Sequence, residues 1–585
     1  MTMAAGQREP SCGSALADPT AGRFLFAWLV SAVSPMWMLA LAAIPVAVAA
    51  WALLSPPVVL SREMTWDLLF NLAGAWHLHL GQIAHVDFHD PVGELNFLLT
   101  DIGFDLVGVG PHAFLVGAVV MAAALFVAAA SAAWRRLPAL PAAIFIAFVC
   151  LLSLMPANVG DNPNAYSFAM SYNRYGWSCV SILFLILFQP PQPRRWGDTL
   201  DIVVTAALLA AMFYLKMTYF LMGIAALPVA ALVSPHLRKA RYGWMVLAIA
   251  AVALAISPFN RAYWSDLVAA ADAGQTRDVL ADHINNFLAH AGEYAPYLAG
   301  FAVALWMWRR GDAPLRLPVA TGFILAAGAA LLSQNAQTHN LPVAVVIAFL
   351  FYAVLRERRL KHLHGGSVGL LAALLVFPLL SIGASAASLT GYHVKVMQHT
   401  MPTVESTNLR GLAVPRETPG LLAAFAGTQS DYHLLNRARA IAPRYELSPS
   451  EYVETLLNAV DFLRTTPGRH DRIVVLDQVN PFPFMLGLAP PRGGNLWSGP
   501  GAPVPNPEQL FSDADSVLIP KFSTFSPWTQ QALAAYRPYL DRHFPQKTQS
   551  DSWILLSRLP RAETDTGPAP SPDLLFNTNI STRAP

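Results

Sequence analysis

The sequence predicts a polytopic α-helical membrane protein of about eleven spans, followed by a C-terminal α/β domain. Three observations carry that prediction. Of the 585 residues, 55% are hydrophobic and 13% charged, against about 25% charged in soluble proteins, and the mean hydropathy is +0.42. Apolar runs near the length of a bilayer crossing recur from residue 35 to residue 388. After about residue 389 the composition turns soluble, and helical and strand patterns alternate.

Residues 1–22 are polar, and the run from Phe24 to Pro57 is too long for a cleavable signal. Residues 1–34 therefore read as an N-terminal segment leading into an uncleaved first span. Spans fall near 35–57, 112–134, 138–155, 175–189, 200–215, 218–234, 242–258, 295–308, 318–333, 341–355 and 367–388. Lysine and arginine set the orientation. Arg135-Arg136, Arg194-Arg195, Arg238 to Arg241, Arg309-Arg310 and Arg356 to Lys361 fall in alternate loops, which places those loops and the N-terminus in the cytoplasm. The loops 58–111, 156–174, about 216, 259–294 and 334–340 then lie on the opposite face, together with the soluble domain at 389–559.

In that domain Ser448-Pro449-Ser450-Glu451 forms a capping box with proline at the first helical position. Tyr452, Leu456, Val460 and Leu463 follow at helical spacing. RIVVLD (472–477), SVLIP (516–520) and SWILLS (552–557) read as strands, and a second helix begins at Ser526-Pro527. Residues 560–585, rich in Pro, Ser and Thr, read as a disordered tail.

A net charge of +2 without a basic block argues against a nucleic-acid partner. The three cysteines, Cys12, Cys150 and Cys179, form neither a disulfide framework nor a CxxC metal site.

Candidate chemistry concentrates in Arg62 to Asn96, where Glu63, Asp67, Asp87, Asp90 and Glu94 mix with His77, His79, His85 and His89. Ionisable groups beside a membrane span are costly and tend to be sited for function. Asp67 opens a helical pattern with the apolar stripe Leu68, Leu69, Leu72 and Trp76. It reads either as an acid aimed into a cleft or as a first-turn acid complementing the helix dipole. Asp90 before Pro91 has an ordinary N-cap reading, whereas Asp87 has none and is the stronger candidate. Asp87 and Asp90, with His89, are the residues that would hold a divalent cation. Lys216 stands between two apolar runs, where it must snorkel or meet an anion. Arg174 lies in the motif Tyr172-Asn173-Arg174, and Gln337 and His339 belong to a polar cluster on the same face.

An acidic first outer loop, many crossings and a soluble domain on the same face resemble the C-type (GT-C) glycosyltransferases of bacteria. That superfamily includes lipid A aminoarabinose transferases, protein O-mannosyltransferases and mycobacterial arabinosyltransferases. GQIAHVDFHDPVGELNFLL (81–99) looks like the family's continuation of that loop, and LKMTYF (215–220) resembles a lysine-containing turn of bacterial members. The likeness covers roughly residues 35–390. It implies an inner-membrane hexosyl- or pentosyltransferase that moves a sugar, with inversion, from a polyprenyl-phosphate donor to an envelope glycan or lipid acceptor on the periplasmic face. In such a reaction Asp67, or next Asp87, takes the acceptor proton. Lys216 and Arg174 neutralise the departing phosphate, and His89, Tyr172, Asn173, Gln337 and His339 complete the substrate-binding set. The sequence lacks an adjacent acidic pair, since Glu63 and Asp67 stand apart. A polytopic O-acyltransferase using a histidine base and a non-catalytic transport or assembly protein are the rival readings.

Overall fold

The computed structural model describes residues 35–192, 197–237, 260–274, 291–334, 341–357, 365–398, 403–405, 407–415, 447–499, 502–524 and 526–558, with a few single positions between 243 and 289. Ten of the eleven predicted spans coincide with helices: α1 (Pro35–Leu54), α4 (Pro111–Ala133), α5 (Ala139–Leu154), α6 (Ser171–Phe188), α7 (Gly197–Leu215), α8 (Met217–Val233), α10 (Ala291–Arg309), α11 (Arg316–Gln334), α12 (Ala344–Glu357) and α13 (Gly365–Met397). The eleventh, near 242–258, lies outside the described residues. Among the described residues, five helices are long and apolar enough to cross a membrane, and Ala139–Leu154, Met217–Val233 and Ala344–Leu355 are shorter apolar helices.

Before and between the spans lie β1 (Val59–Leu60), α2 (Thr65–His79), β2 (Phe88–His89), α3 (Leu95–Val107) and α9 (Asn260–Gly274). The helix α13 runs past the predicted end of its span. In its last turns the Tyr392 hydroxyl accepts the Leu60 amide at 3.2 Å, so this helix braces the first loop.

The C-terminal domain contains α14 (Pro449–Thr465), β4 (Ile473–Val475), α15 (Phe482–Leu486), β6 (Ser516–Pro520), α16 (Ser526–His543), β7 (Gln546–Gln549) and β8 (Trp553–Ser557). Its sheet has the order β4-β6-β8-β7, with β4 and β6 parallel and the other neighbours antiparallel. The capping box at Ser448 and Glu451 forms as the sequence predicts.

Two further parallel pairs join this part of the chain to the first loop. Strand β1 pairs with β3 (Leu412–Ala413), and β2 with β5 (Gly494–Asn495). Each is only two residues long, yet together they fix the domain over α2. The Trp76 indole N–H adds a bond to the Leu488 carbonyl at 2.8 Å.

On the opposite face, Arg135 and Arg136 are not free loop charges. Both are buried, 1% and 6% exposed, and both bond Asp201, Arg135 Nη1 at 2.8 Å and Arg136 Nη2 at 2.6 Å. Arg136 also donates to the carbonyls of Ala132, Ile186 and Gln189, which ties the ends of α4, α6 and α7. Removing one partner of a buried ionic group leaves uncompensated charge at a cost of about 3–5 kcal/mol. Asp201→Ala is therefore expected to lower the thermal unfolding temperature of the detergent-purified protein by several degrees; an unchanged midpoint contradicts this role.

Candidate active site

The site is built on two chain entries that share an uncommon backbone. Four of the five non-glycine residues with positive φ among the described residues, Met64, His85, Tyr166 and Met170, lie in the loops on this face. Such conformations cost about 1–3 kcal/mol and persist where surroundings over-determine them. Met64 and Met170 precede the first turns of α2 and α6, and neither supplies a side-chain cap. Asp67, in the first turn of α2, bonds the Met170 amide. Asp67 thus lies in the first turn of α2, where the starts of two helices converge.

A polar chain supports it from below. Asn71 Nδ2 donates to the Asp67 carbonyl at 2.9 Å, Asn96 Nδ2 donates to Asn71 Oδ1, and the Ser171 hydroxyl donates to Asn96 Oδ1 at 2.8 Å. This chain links α2, α3 and α6.

The 81–94 stretch then folds onto the connector between α7 and α8. The Gly93 amide donates to the Leu215 carbonyl at 3.1 Å. A Cβ at Gly93 would run into the Tyr214 backbone, so only glycine permits this approach. Lys216 is the residue between the two helices. Its Nζ lies 5.2 Å from the Tyr172 ring centroid, within cation–π range. The Tyr172 hydroxyl in turn feels the charges of both Asp67 and Asp90. Tyr172 thus carries the Lys216 ammonium against its ring at the start of α6.

Neither candidate acid of the 81–94 stretch has the surroundings that its local sequence suggests. Asp87 Oδ2 accepts the Ile83 amide at 2.9 Å, and Oδ1 lies 3.4 Å from Arg492 Nε of the C-terminal domain. These contacts give Asp87 the structural duty that the sequence reading denied it. Asp90 does not cap α3, whose N-cap is Glu94. Its Oδ1 accepts the Val92 amide at 2.6 Å, and its Oδ2 is buried with no hydrogen-bond partner among the described residues. The described residues contain no group of three His, Cys, Asp or Glu side chains able to hold a metal ion. For a cation at Asp87 and Asp90 they leave one open carboxylate oxygen, that of Asp90.

The remaining candidates separate. Arg174 donates to the Ala157 and Ala169 carbonyls at 3.0 and 3.2 Å, shaping the 157–169 loop. Asn173 is fully buried, and both atoms of its amide lack a partner among the described residues. Gln337 and His339 lie outside the described residues. All four histidines of the first loop have acceptors: His77 on Gln82, His79 on Asp101, and His85 and His89 on Asp266. The sequence reading missed Asp266, which sits on α9 in a loop used there only to set topology. A cavity of about 340 Å³ is lined by Leu152, Met155, Asp161, Tyr297, Ser381 and others, and by none of these candidates.

No family profile matches the chain, and no curated protein matches it. Among solved structures it is similar to ArnT from Cupriavidus metallidurans. With the form bound to undecaprenyl phosphate the identity is 12%, 90% of this chain and 99% of that one are covered, and the TM-score is 0.44. With the apo form the identity is 13%, the coverage 88% and 97%, and the TM-score 0.41. The chemistry of the site is accordingly read from its own side chains.

Burial dominates the electrostatics. It pushes the Asp67 carboxyl up to about 6, the Met170 amide opposing. Burial holds Asp90 well above the usual carboxylate range, the Val92 amide opposing it and the charge of Asp266 adding to it. It also brings Lys216 down to about 8. For Asp67 the folded value exceeds the ordinary value of 3.8, so the folded state binds the proton more tightly. The carboxylate then costs stability above pH 6, and the cost vanishes below about 4. Asp67→Asn keeps an acceptor for Met170 and is expected to raise the unfolding temperature at pH 7.5 but not at pH 4; an equal or opposite shift at the two pH values contradicts the buried carboxylate.

Proposed function

We propose that this chain transfers a sugar, with inversion, from a polyprenyl-phosphate donor to a hydroxyl of an envelope glycan or lipid. In this reading the site face is periplasmic and the N-terminus cytoplasmic. The observation that carries the proposal is the Tyr172 bridge, with Asp67 and Asp90 in its electrostatic range and Lys216 against its ring. A base and an anion-binding cation are what glycosyl transfer from a lipid phosphate requires.

The acceptor oxygen bonds to the anomeric carbon as the bond from that carbon to the phosphate oxygen breaks. The electron pair of the broken bond leaves on the lipid phosphate, where Lys216 stabilises it. The acceptor's proton passes to Asp67. A carboxyl at about 6 suits this task near neutral pH, because it is mostly ionised and still basic enough to accept a proton. Asp90, whose carboxyl is pushed up by burial, has one oxygen without a partner among the described residues that a sugar or phosphate oxygen would meet. The cavity of about 340 Å³ offers room for part of a lipid chain.

The test is sugar release from radiolabelled polyprenyl-phosphate sugars by the reconstituted protein. Asp67→Asn is expected to lower turnover about 100-fold or more, and Lys216→Met by a comparable factor. The wild-type kcat/KM should rise through about pH 6 as Asp67 ionises and fall above about 8 as Lys216 loses its proton. Turnover unchanged in both variants, or movement of intact lipid without sugar consumption, overturns the proposal.

A further inference from the structure

Asp266 gathers more of the site than any single acid of the first loop. Its Oδ1 lies 2.8 Å from His89 Nδ1, and its Oδ2 lies 3.0 Å from His85 Nδ1. The Asp90 amide donates to Oδ2 as well, at 3.2 Å. A carboxylate only accepts, so both imidazoles must present Nδ1–H to it. That fixes their tautomers and directs each Nε2 away from Asp266.

The two histidines then differ. His85 is buried, has φ +65° and packs on the Tyr263 ring with centroids 4.4 Å apart. It is the internal anchor of a strained turn. His89 has a side chain 35% exposed, and its Nε2 makes no hydrogen bond among the described residues. The same helix also reaches the Lys216 connector, because the Tyr263 hydroxyl donates to the Phe213 carbonyl at 3.2 Å. Gly93, three residues beyond Asp90, bonds Leu215 on that connector. Asp266 therefore sets both the orientation of His89 and the seat of the loop against Lys216.

We propose that Asp266 is a positioning residue for the donor head group, holding the His89 imidazolium so that its Nε2–H donates to an oxygen of the lipid phosphate. This rests on the transferase reading given above. The chemistry is specific to a carboxylate. Asparagine at 266 offers one acceptor oxygen and an amide whose N–H groups oppose the second imidazole, so Asp266→Asn breaks one imidazole bond at nearly constant volume.

The test uses the full chain in detergent or nanodiscs and undecaprenyl phosphate as the probe, with affinity read by thermophoresis. Asp266→Asn and His89→Gln are each expected to weaken binding about ten-fold, in line with loss of an orienting partner. If Asp266 acts through His89, the double variant should bind no more weakly than the weaker single variant. A purely architectural Asp266 would instead give effects that multiply in the double variant, which overturns the inference, as does unaltered binding by Asp266→Asn. His89→Gln, at a partly exposed position, keeps the test open even if Asp266→Asn folds poorly: unaltered binding by His89→Gln also overturns the inference. Failure of the wild type to bind undecaprenyl phosphate overturns the transferase reading and this inference together.

Discussion

The site depends on backbone pairing between the first loop and segments far along the chain. Strand β1 pairs with β3 and β2 with β5, and Gly93 bonds Leu215. None of these contacts is extensive, but each leaves the loop fewer conformations. Fixing a residue's backbone costs about 1–2 kcal/mol, and positive-φ positions such as His85 add to that cost. Short pairings distributed over three partners oppose that cost.

Given that frame, low dielectric sets the charges. The carboxyls of Asp67 and Asp90 rise and the Lys216 ammonium falls, in each case chiefly through burial. In the proposed reaction an incoming anion favours the charged lysine, and a hydroxyl beside Asp67 meets a base that is neither too weak nor fully spent. The salt-bridged knot on the other face follows a different logic. Arg135, Arg136 and Asp201 are satisfied by one another and by carbonyls, so that knot serves architecture.

Much of the fold is legible in the sequence because hydropathy reports span positions directly, and ten predicted spans coincide with helices. The strands at 473–475, 516–520 and 553–557 were legible as apolar runs, while Gln546–Gln549, exposed and polar, gave no such signal. Lys216 stood out because a lone charge between apolar runs is rare. Asp87 and Asp90 were harder to rank. Asp-Pro is a local cap signal, yet here Glu94 occupies the N-cap position and Asp90 bonds the Val92 amide of its own turn. The contact that occupies Asp87 comes from Arg492, in a separate domain. Asp266 was illegible for a similar reason: nothing in its own helix announces that two histidines from the first loop converge on it. Local patterns survive in a sequence, whereas pairings across the chain do not.

The account as a whole requires that the lipid phosphate occupy the space beside Tyr172 and Lys216. The most direct measurement is an experimental density map of the protein with undecaprenyl phosphate bound. The account predicts phosphate density within hydrogen-bond or ion-pair reach of Lys216 Nζ, on the side of Tyr172 that faces Asp67 and Asp90. Phosphate density elsewhere, with the Tyr172 pocket closed or filled by protein, would contradict it.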